Sequence, residues 1–208
     1  MKKVKNILFD LGGVIIDLDV NKTTQQMALL LGLADQLKPG EVLSHPVFKQ
    51  YETGELNSTE FIQALRAMAK TEVEESHIVK AWNAMLIHIP ESRVKLLEEL
   101  SNKNRLLVLS NTNELHINQF NAMIPGYSNL TELFEKVYYS NEIGCRKPTK
   151  ESFNIVIKES SIDPSETLFI DDTLENIKAA SEMNFQTLLI EKNEDITQLL
   201  VKKYPSLI

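Results

Sequence analysis

The chain has 208 residues, a 43% hydrophobic share, a formal net charge of -7 and one cysteine. That length admits one or two domains and that apolar share a buried core, while seven glycines and seven prolines are too few for a disordered or collagen-like chain. A single cysteine excludes an intramolecular disulfide framework and a four-cysteine zinc site, and the acidic balance argues against a nucleic-acid partner, whose phosphates attract basic faces.

The opening stretch, Met1–Asp17, is basic at its start like a secretory leader. Asp10 interrupts its apolar run within a few residues, and no A-x-A-like cleavage site follows. No run reaches the roughly 18 apolar residues of a membrane span. The expectation is a cytoplasmic protein with no membrane partner.

Five short runs predict strands: Asn6–Phe9, Arg105–Leu109, Lys136–Tyr139, Thr167–Ile170 and Gln186–Ile190. They are continuously apolar rather than alternating, as strands buried on both faces are. Helical spacing fills the later gaps, at Glu114–Met123, Lys150–Ser160 and Leu174–Met183, with Ile196–Tyr204 as a short closing helix. Strand–helix alternation predicts right-handed crossovers and a doubly wound, largely parallel α/β sheet. About 95 residues separate the first two strands, too many for one crossover, and their pattern is helical. Helices are predicted at Lys22–Leu33, at Phe61–Ala69 with Ser58 or Thr59 as its cap, at Val79–Ile87 and at Ser92–Leu100. Residues 18–88 therefore read as an inserted all-helical subdomain, and residues 1–17 with 89–208 as the α/β core. Trp82 and the stripe Met85, Leu86 and Ile89 are expected to pack that insert.

Ligands of open α/β sheets gather outside the carboxyl ends of the strands. Those ends carry Asp10 with Gly12-Gly13, then Ser110-Asn111-Thr112-Asn113, then Arg146-Lys147-Pro148, then Asp171-Asp172. Singly, each has a plain explanation as a turn residue, a helix cap or a solvated loop charge. Together they have a chemical logic. Carboxylates brought close repel unless a cation sits among them, and magnesium favours carboxylate, water and phosphate oxygens. A hydroxyl and a lysine nearby can hold the other oxygens of a phosphoryl group, and a free carboxylate can attack phosphorus.

The ordered set resembles the haloacid dehalogenase-like hydrolase superfamily. Phe9–Ile15 resembles its nucleophile motif, Leu109–Thr112 its second motif, Arg146–Pro148 its lysine motif, and Phe169–Asp172 with Asn176 its acidic metal motif. The insert after the first motif resembles the first cap type of that family, and the resemblance covers essentially the whole chain. It implies a Rossmann-like core with the first strand central. It also implies catalysis by Asp10, Ser110 and Lys147, phosphate binding by Ser110, Asn111 and Lys147, and Mg2+ held by Asp10, the Gly12 carbonyl, Asp171 and Asp172. The substrate class implied is a small phosphorylated metabolite. Leu109–Asn113 and Tyr51–Glu55 look closest to α-glucose-1-phosphate phosphatases and to the N-terminal phosphatase domain of soluble epoxide hydrolase, which points to a sugar phosphate.

One departure matters. Most phosphatases of this family carry a second aspartate two positions after the nucleophile, to protonate the leaving alcohol and activate water. Here that position is Gly12. General acid–base catalysis contributes about 10²–10⁴-fold, so turnover is expected to slow without vanishing, and hexose 1-phosphates to outrank hexose 6-phosphates. Asp17, water or a cap side chain could stand in for the acid. The gap also opens two alternatives: a 2-haloacid dehalogenase, which lacks that acid, and a catalytically weakened binding protein. Paired Asp171-Asp172 favours phosphoryl transfer over both. His45, His77, His88 and His116 show no mutual spacing of a metal site, and Cys145 reads as a packing residue.

Overall fold

The computed structural model describes residues 2–33 and 42–208. Five parallel strands form its sheet: β1 (Asn6–Phe9), β4 (Arg105–Ser110), β5 (Lys136–Tyr139), β6 (Thr167–Asp171) and β7 (Gln186–Leu189). Their spatial order is β5-β4-β1-β6-β7, so β1 is central. The apolar runs follow from burial on two sides. Ile7, Phe9, Val108 and Ile170 face one cluster, joined by α5 (Glu91–Ser101) and α10 (Ile196–Lys203). Leu8, Leu107, Leu109 and Phe169 face the other, against Phe153 and Val156 of α8 (Lys150–Ser160) and Ala180 of α9 (Leu174–Glu182). Alternate residues of the central strands thus serve opposite helix layers, which keeps the middle of β1, β4 and β6 apolar and leaves polar residues to their ends.

The insert carries α1 (Val20–Leu30), α2 (Pro46–Glu52), α3 (Ser58–Met68) and α4 (Glu75–Asn83) around its own core of Met27, Phe48, Tyr51, Phe61, Leu65, Ile78 and Trp82. Tyr51 stacks on Phe61 at 4.1 Å between centroids, and Phe48 on Trp82 at 5.2 Å. Asn57, rather than Ser58 or Thr59, caps α3: its side chain accepts from the Glu60 N–H while Glu60 accepts from the Asn57 N–H. This reciprocal pair needs the acid three residues after the cap, which only Asn57 has among the three.

Two expectations are corrected at the neck. The helix predicted to Ile87 stops at Asn83, and Leu86–His88 forms a strand, β3, pairing antiparallel with β2 (Asp17–Leu18). The insert is therefore helical above a two-stranded ribbon. Met85 packs in the insert, but Leu86 and Ile89 pack against the sheet core. The apolar spacing was real, but it was shared between two cores. No helix among the described residues is long and apolar enough to cross a membrane.

Candidate active site

Sheet register assembles the site. Phe9 pairs with Val108 on one side and Ile170 on the other, so Asp10 and Asp171, the next residues along β1 and β6, emerge together, and Ser110 follows two residues after Val108 at the end of β4. The Asp10 N–H donates to the Ile170 carbonyl at 2.9 Å, holding Asp10 alongside Asp171. With strands about 4.8 Å apart, Asp10, Ser110 and Asp171 share one edge.

Lys147 enters from the loop after α7 (Ser140–Ile143) and is 1% exposed. Its Nζ lies 2.9 Å from Asp10 Oδ1 and 2.7 Å from Asp171 Oδ2. Asp172 completes the group: one oxygen from each of Asp10, Asp171 and Asp172 lies within 4.8 Å of the other two. Gly13 makes this approach possible. It sits at φ +72°, and a Cβ there would fall 2.2 Å from Asp172 Oδ2.

The three acids are held differently. Asp171 is fully buried, and its oxygens already accept from Lys147 Nζ, the Thr173 N–H and Asn176 Nδ2. Asp10 accepts from the Leu11 N–H and from Lys147, both through Oδ1, which leaves Oδ2. Asp172 is the most exposed and accepts from the Thr173 hydroxyl. Burial pushes the Asp10 carboxyl up to about 7, against the pull of Lys147, with Asp171 and Asp172 adding to the rise. Partial desolvation and Asp171 raise Asp172 as well. Burial alone would favour neutral Lys147, but the flanking carboxylates outweigh it and raise its pKa. Ionised together, the three carboxylates around one ammonium would leave two negative charges uncompensated, which fits a divalent cation with oxygen ligands.

Ser110 is buried at the end of β4. The Asn111 side chain clamps the lysine loop: Nδ2 donates to the Lys147 carbonyl at 3.0 Å and Oδ1 accepts from the Lys147 N–H at 2.9 Å. Any contact of Asn111 with a phosphoryl oxygen thus falls to its main-chain N–H. Ser140 ties β5 to the same region, its hydroxyl accepting from the Thr112 N–H and donating to the Thr112 carbonyl.

Asp17, weighed above as a replacement acid, is engaged by other partners. It is ion-paired with Arg93 at 2.8 Å and faces His88 at 3.4 Å. Among the described residues no histidine joins the cluster of Asp10, Asp171 and Asp172, and His77 is exposed on α4. His45 caps α2, His88 meets Asp17, and His116 stacks on Trp82 with its Nε2 3.2 Å from the Trp82 carbonyl. Burial lowers the His116 pKa to about 4. Cys145 is buried, as a packing residue is.

Sequence reading missed the seam between insert and core. Trp82 Nε1 donates to Asn113 Oδ1 at 3.1 Å, next to the strand end bearing Ser110. The Leu115 N–H, in α6 (Glu114–Asn121), donates to the Tyr51 hydroxyl, and Arg146 meets Glu52 at 2.8 Å. Gly54, at φ +72°, seats a turn so closely on α7 that a Cβ would fall 2.2 Å from the Asn141 carbonyl oxygen. The Tyr51–Glu55 segment was visible as a motif, but nothing in it indicated Arg146 as partner.

Known proteins resemble this chain in sequence and fold. The model of the haloacid dehalogenase-like hydrolase family matches residues 4–184. A D-ribitol-5-phosphate phosphatase of Bacteroides thetaiotaomicron is 33% identical over 202 residues, covering 95% of this chain and 97% of the relative. A family enzyme from the same organism, solved with magnesium and inorganic phosphate, superposes with a TM-score of 0.83 at 33% identity, over 94% of this chain and 98% of that one. The L-2-haloacid dehalogenase of Xanthobacter autotrophicus, at 18% identity and a TM-score of 0.58 over 97% of this chain and 84% of its own, shares the fold. With its four motifs meeting at one sheet edge and its family model spanning most of its length, the chain belongs to the haloacid dehalogenase-like hydrolases.

Proposed function

We propose that this hydrolase removes phosphate from small sugar or polyol phosphates with the aid of magnesium. The observation that carries the reading is the cluster of Asp10, Asp171 and Asp172 around Lys147, with two negative charges left over. Asp10 and Asp172, with the Gly12 carbonyl, would hold the ion, while Asp171, engaged by three donors, positions Lys147 and Asp10 beside it. When bound, magnesium supplies charge neutralisation between an anionic nucleophile and an anionic substrate.

Asp10 attacks phosphorus in line and becomes an aspartyl-phosphate, which water then hydrolyses. Ser110 Oγ and the Asn111 N–H hold phosphoryl oxygens. Lys147 spends two of its three N–H donors on Asp10 and Asp171, and the third is free for the phosphoryl group. Residues 18–88 act as the cap, and the contacts closing over the phosphoryl group select the substrate. Similarity to the ribitol-phosphate enzyme over nearly the full length supports a polyol or sugar ester.

The test is a screen of purified protein against phosphate esters with magnesium and with excess chelator, plus a 2-haloacid. The panel includes pentitol 5-phosphates, hexose 1- and 6-phosphates, nucleotides, lipid phosphates and phosphoamino acids. Chelator-sensitive hydrolysis that is fastest on sugar or polyol esters, with hexose 1-phosphates above hexose 6-phosphates, is expected. Full activity in chelator, halide release, or preference for nucleotides, lipids or phosphoamino acids over every sugar and polyol ester would defeat the reading.

A further inference from the structure

The loop after β1 folds back on itself. The Ile15 and Ile16 N–H groups both donate to the Leu11 carbonyl at 2.8 Å, the Gly13 N–H donates to the Ile16 carbonyl at 2.8 Å, and Gly12 bridges to Ile16. This reversal returns Leu18 of β2 to Gly12. There Leu18 Cδ1 lies 2.6 Å from where a Cβ on Gly12 would be. The neighbouring glycine points its own open side at Asp172. The two glycines thus border the carboxylate cluster, one against a ligand carboxylate and the other against a leucine methyl.

The carboxylates next along the chain are engaged elsewhere. Asp17 pairs with Arg93 and His88, and Asp19 caps α1 by accepting from the Asn21 N–H at 3.2 Å. Lys147 is shared between Asp10 and Asp171. Leu18 is 36% exposed, so its side chain presents apolar surface beside Gly12.

We infer that Leu18 occupies the place of a proton donor to the leaving oxygen, so that this enzyme expels its leaving group without a side-chain acid and ranks substrates by how readily the alcohol departs as an anion. The inference rests on the phosphatase reading above. In the first step the Asp10–phosphorus bond forms as the ester P–O bond breaks. The electron pair passes to the leaving oxygen, which takes its proton from water. In the second step water attacks the aspartyl-phosphate, its proton goes to solvent, and the Asp10 carboxylate is regenerated. The sum is ester plus water giving alcohol plus phosphate.

The experiment is a leaving-group series, from nitrophenyl phosphate through phenyl phosphate to primary alkyl phosphates, with saturating magnesium. It is run on wild type, Leu18→Ala, Gly12→Asp and the double variant Gly12→Asp/Leu18→Ala. Wild-type kcat/KM is expected to fall steeply as the leaving alcohol becomes more basic. Leu18→Ala should keep that slope, because it opens space without adding an acid. The double variant should gain on alkyl relative to nitrophenyl phosphate by about 10²-fold, the lower end of what a positioned acid contributes. Gly12→Asp alone should gain less, since the Leu18 methyl must move first. A wild-type series with no leaving-group dependence would overturn the inference, whatever the variants do. So would a double variant that shifts all substrates alike. Hydrolysis of no member at all would overturn the phosphatase reading itself, and this inference with it.

Discussion

The floor of the candidate site and the seam beneath the insert both depend on polar groups, but they use them differently. On the floor, charge is concentrated: a lysine that is 1% exposed sits between two carboxylates, one of them fully buried, with a third acid adjacent. In the seam, contacts are spread out and mostly neutral. An indole N–H meets an amide oxygen, a main-chain N–H meets a tyrosine hydroxyl, and the ion pair there, Glu52 with Arg146, stays partly exposed. Neutral hydrogen bonds contribute about 0.5–1.5 kcal/mol each, whereas breaking one partner of a buried ion pair costs several times that. The floor is thus a preorganised electrostatic device, and the seam is a set of modest, separable attachments.

The strongest test of this contrast is Asp10→Asn. It should lower kcat/KM at least about 10⁴-fold, as removal of a nucleophile does, while circular dichroism and thermal unfolding show an intact fold, because Lys147 keeps Asp171 as partner. Activity within tenfold of wild type would remove Asp10 from the chemistry.

Next is Lys147→Met. It strands Asp10 and Asp171 without their shared cation, and urea unfolding should show a loss of about 3–5 kcal/mol together with loss of turnover. A variant as stable as wild type would show that the floor carries no such concentration of charge.

His116 sharpens the seam side through pH. Its folded pKa is lowered to about 4, from an ordinary value near 6.5, by burial. The folded state therefore binds fewer protons than the unfolded chain between these values. The stability due to neutral His116 is complete above about pH 6.5 and lost as pH falls to about 4, on the order of 3 kcal/mol in all. Urea midpoints measured across that window should fall for wild type, and less steeply for His116→Gln. Equal slopes would refute the assignment.

Arg146→Gln is expected to have the smallest effect. The pair is partly exposed, so its loss should cost about 1 kcal/mol or less. A cost as large as that of Lys147→Met would erase the distinction between floor and seam.

Much of this was legible in the sequence. The strand runs located β1 and β5 to the residue, because burial on both faces leaves continuous apolar stretches. Asp10, Ser110 and Asp171 lie at the same sheet edge, since parallel strands must end together where their loops begin, and Lys147 reaches them from the loop after α7. The neck was misread because Leu86 and Ile89 are apolar for the sake of the sheet core, whereas helical spacing assigned them to the insert.

The sequence by itself determined the parallel sheet, the helices of the insert and the four motifs, because these are properties of residue type and local spacing, while the acid missing at Gly12 was visible only through the family resemblance. Only the tertiary structure decided how those residues are used. It committed the Asn111 amide to the Lys147 main chain, tied Asp17 to Arg93, joined Trp82 to Asn113, and laid Leu18 against Gly12. Each of these pairings depends on which way a side chain points after the chain has folded back, and local pattern carries no record of that. A hydrogen bond between residues 31 positions apart is set by the packing of two elements against each other.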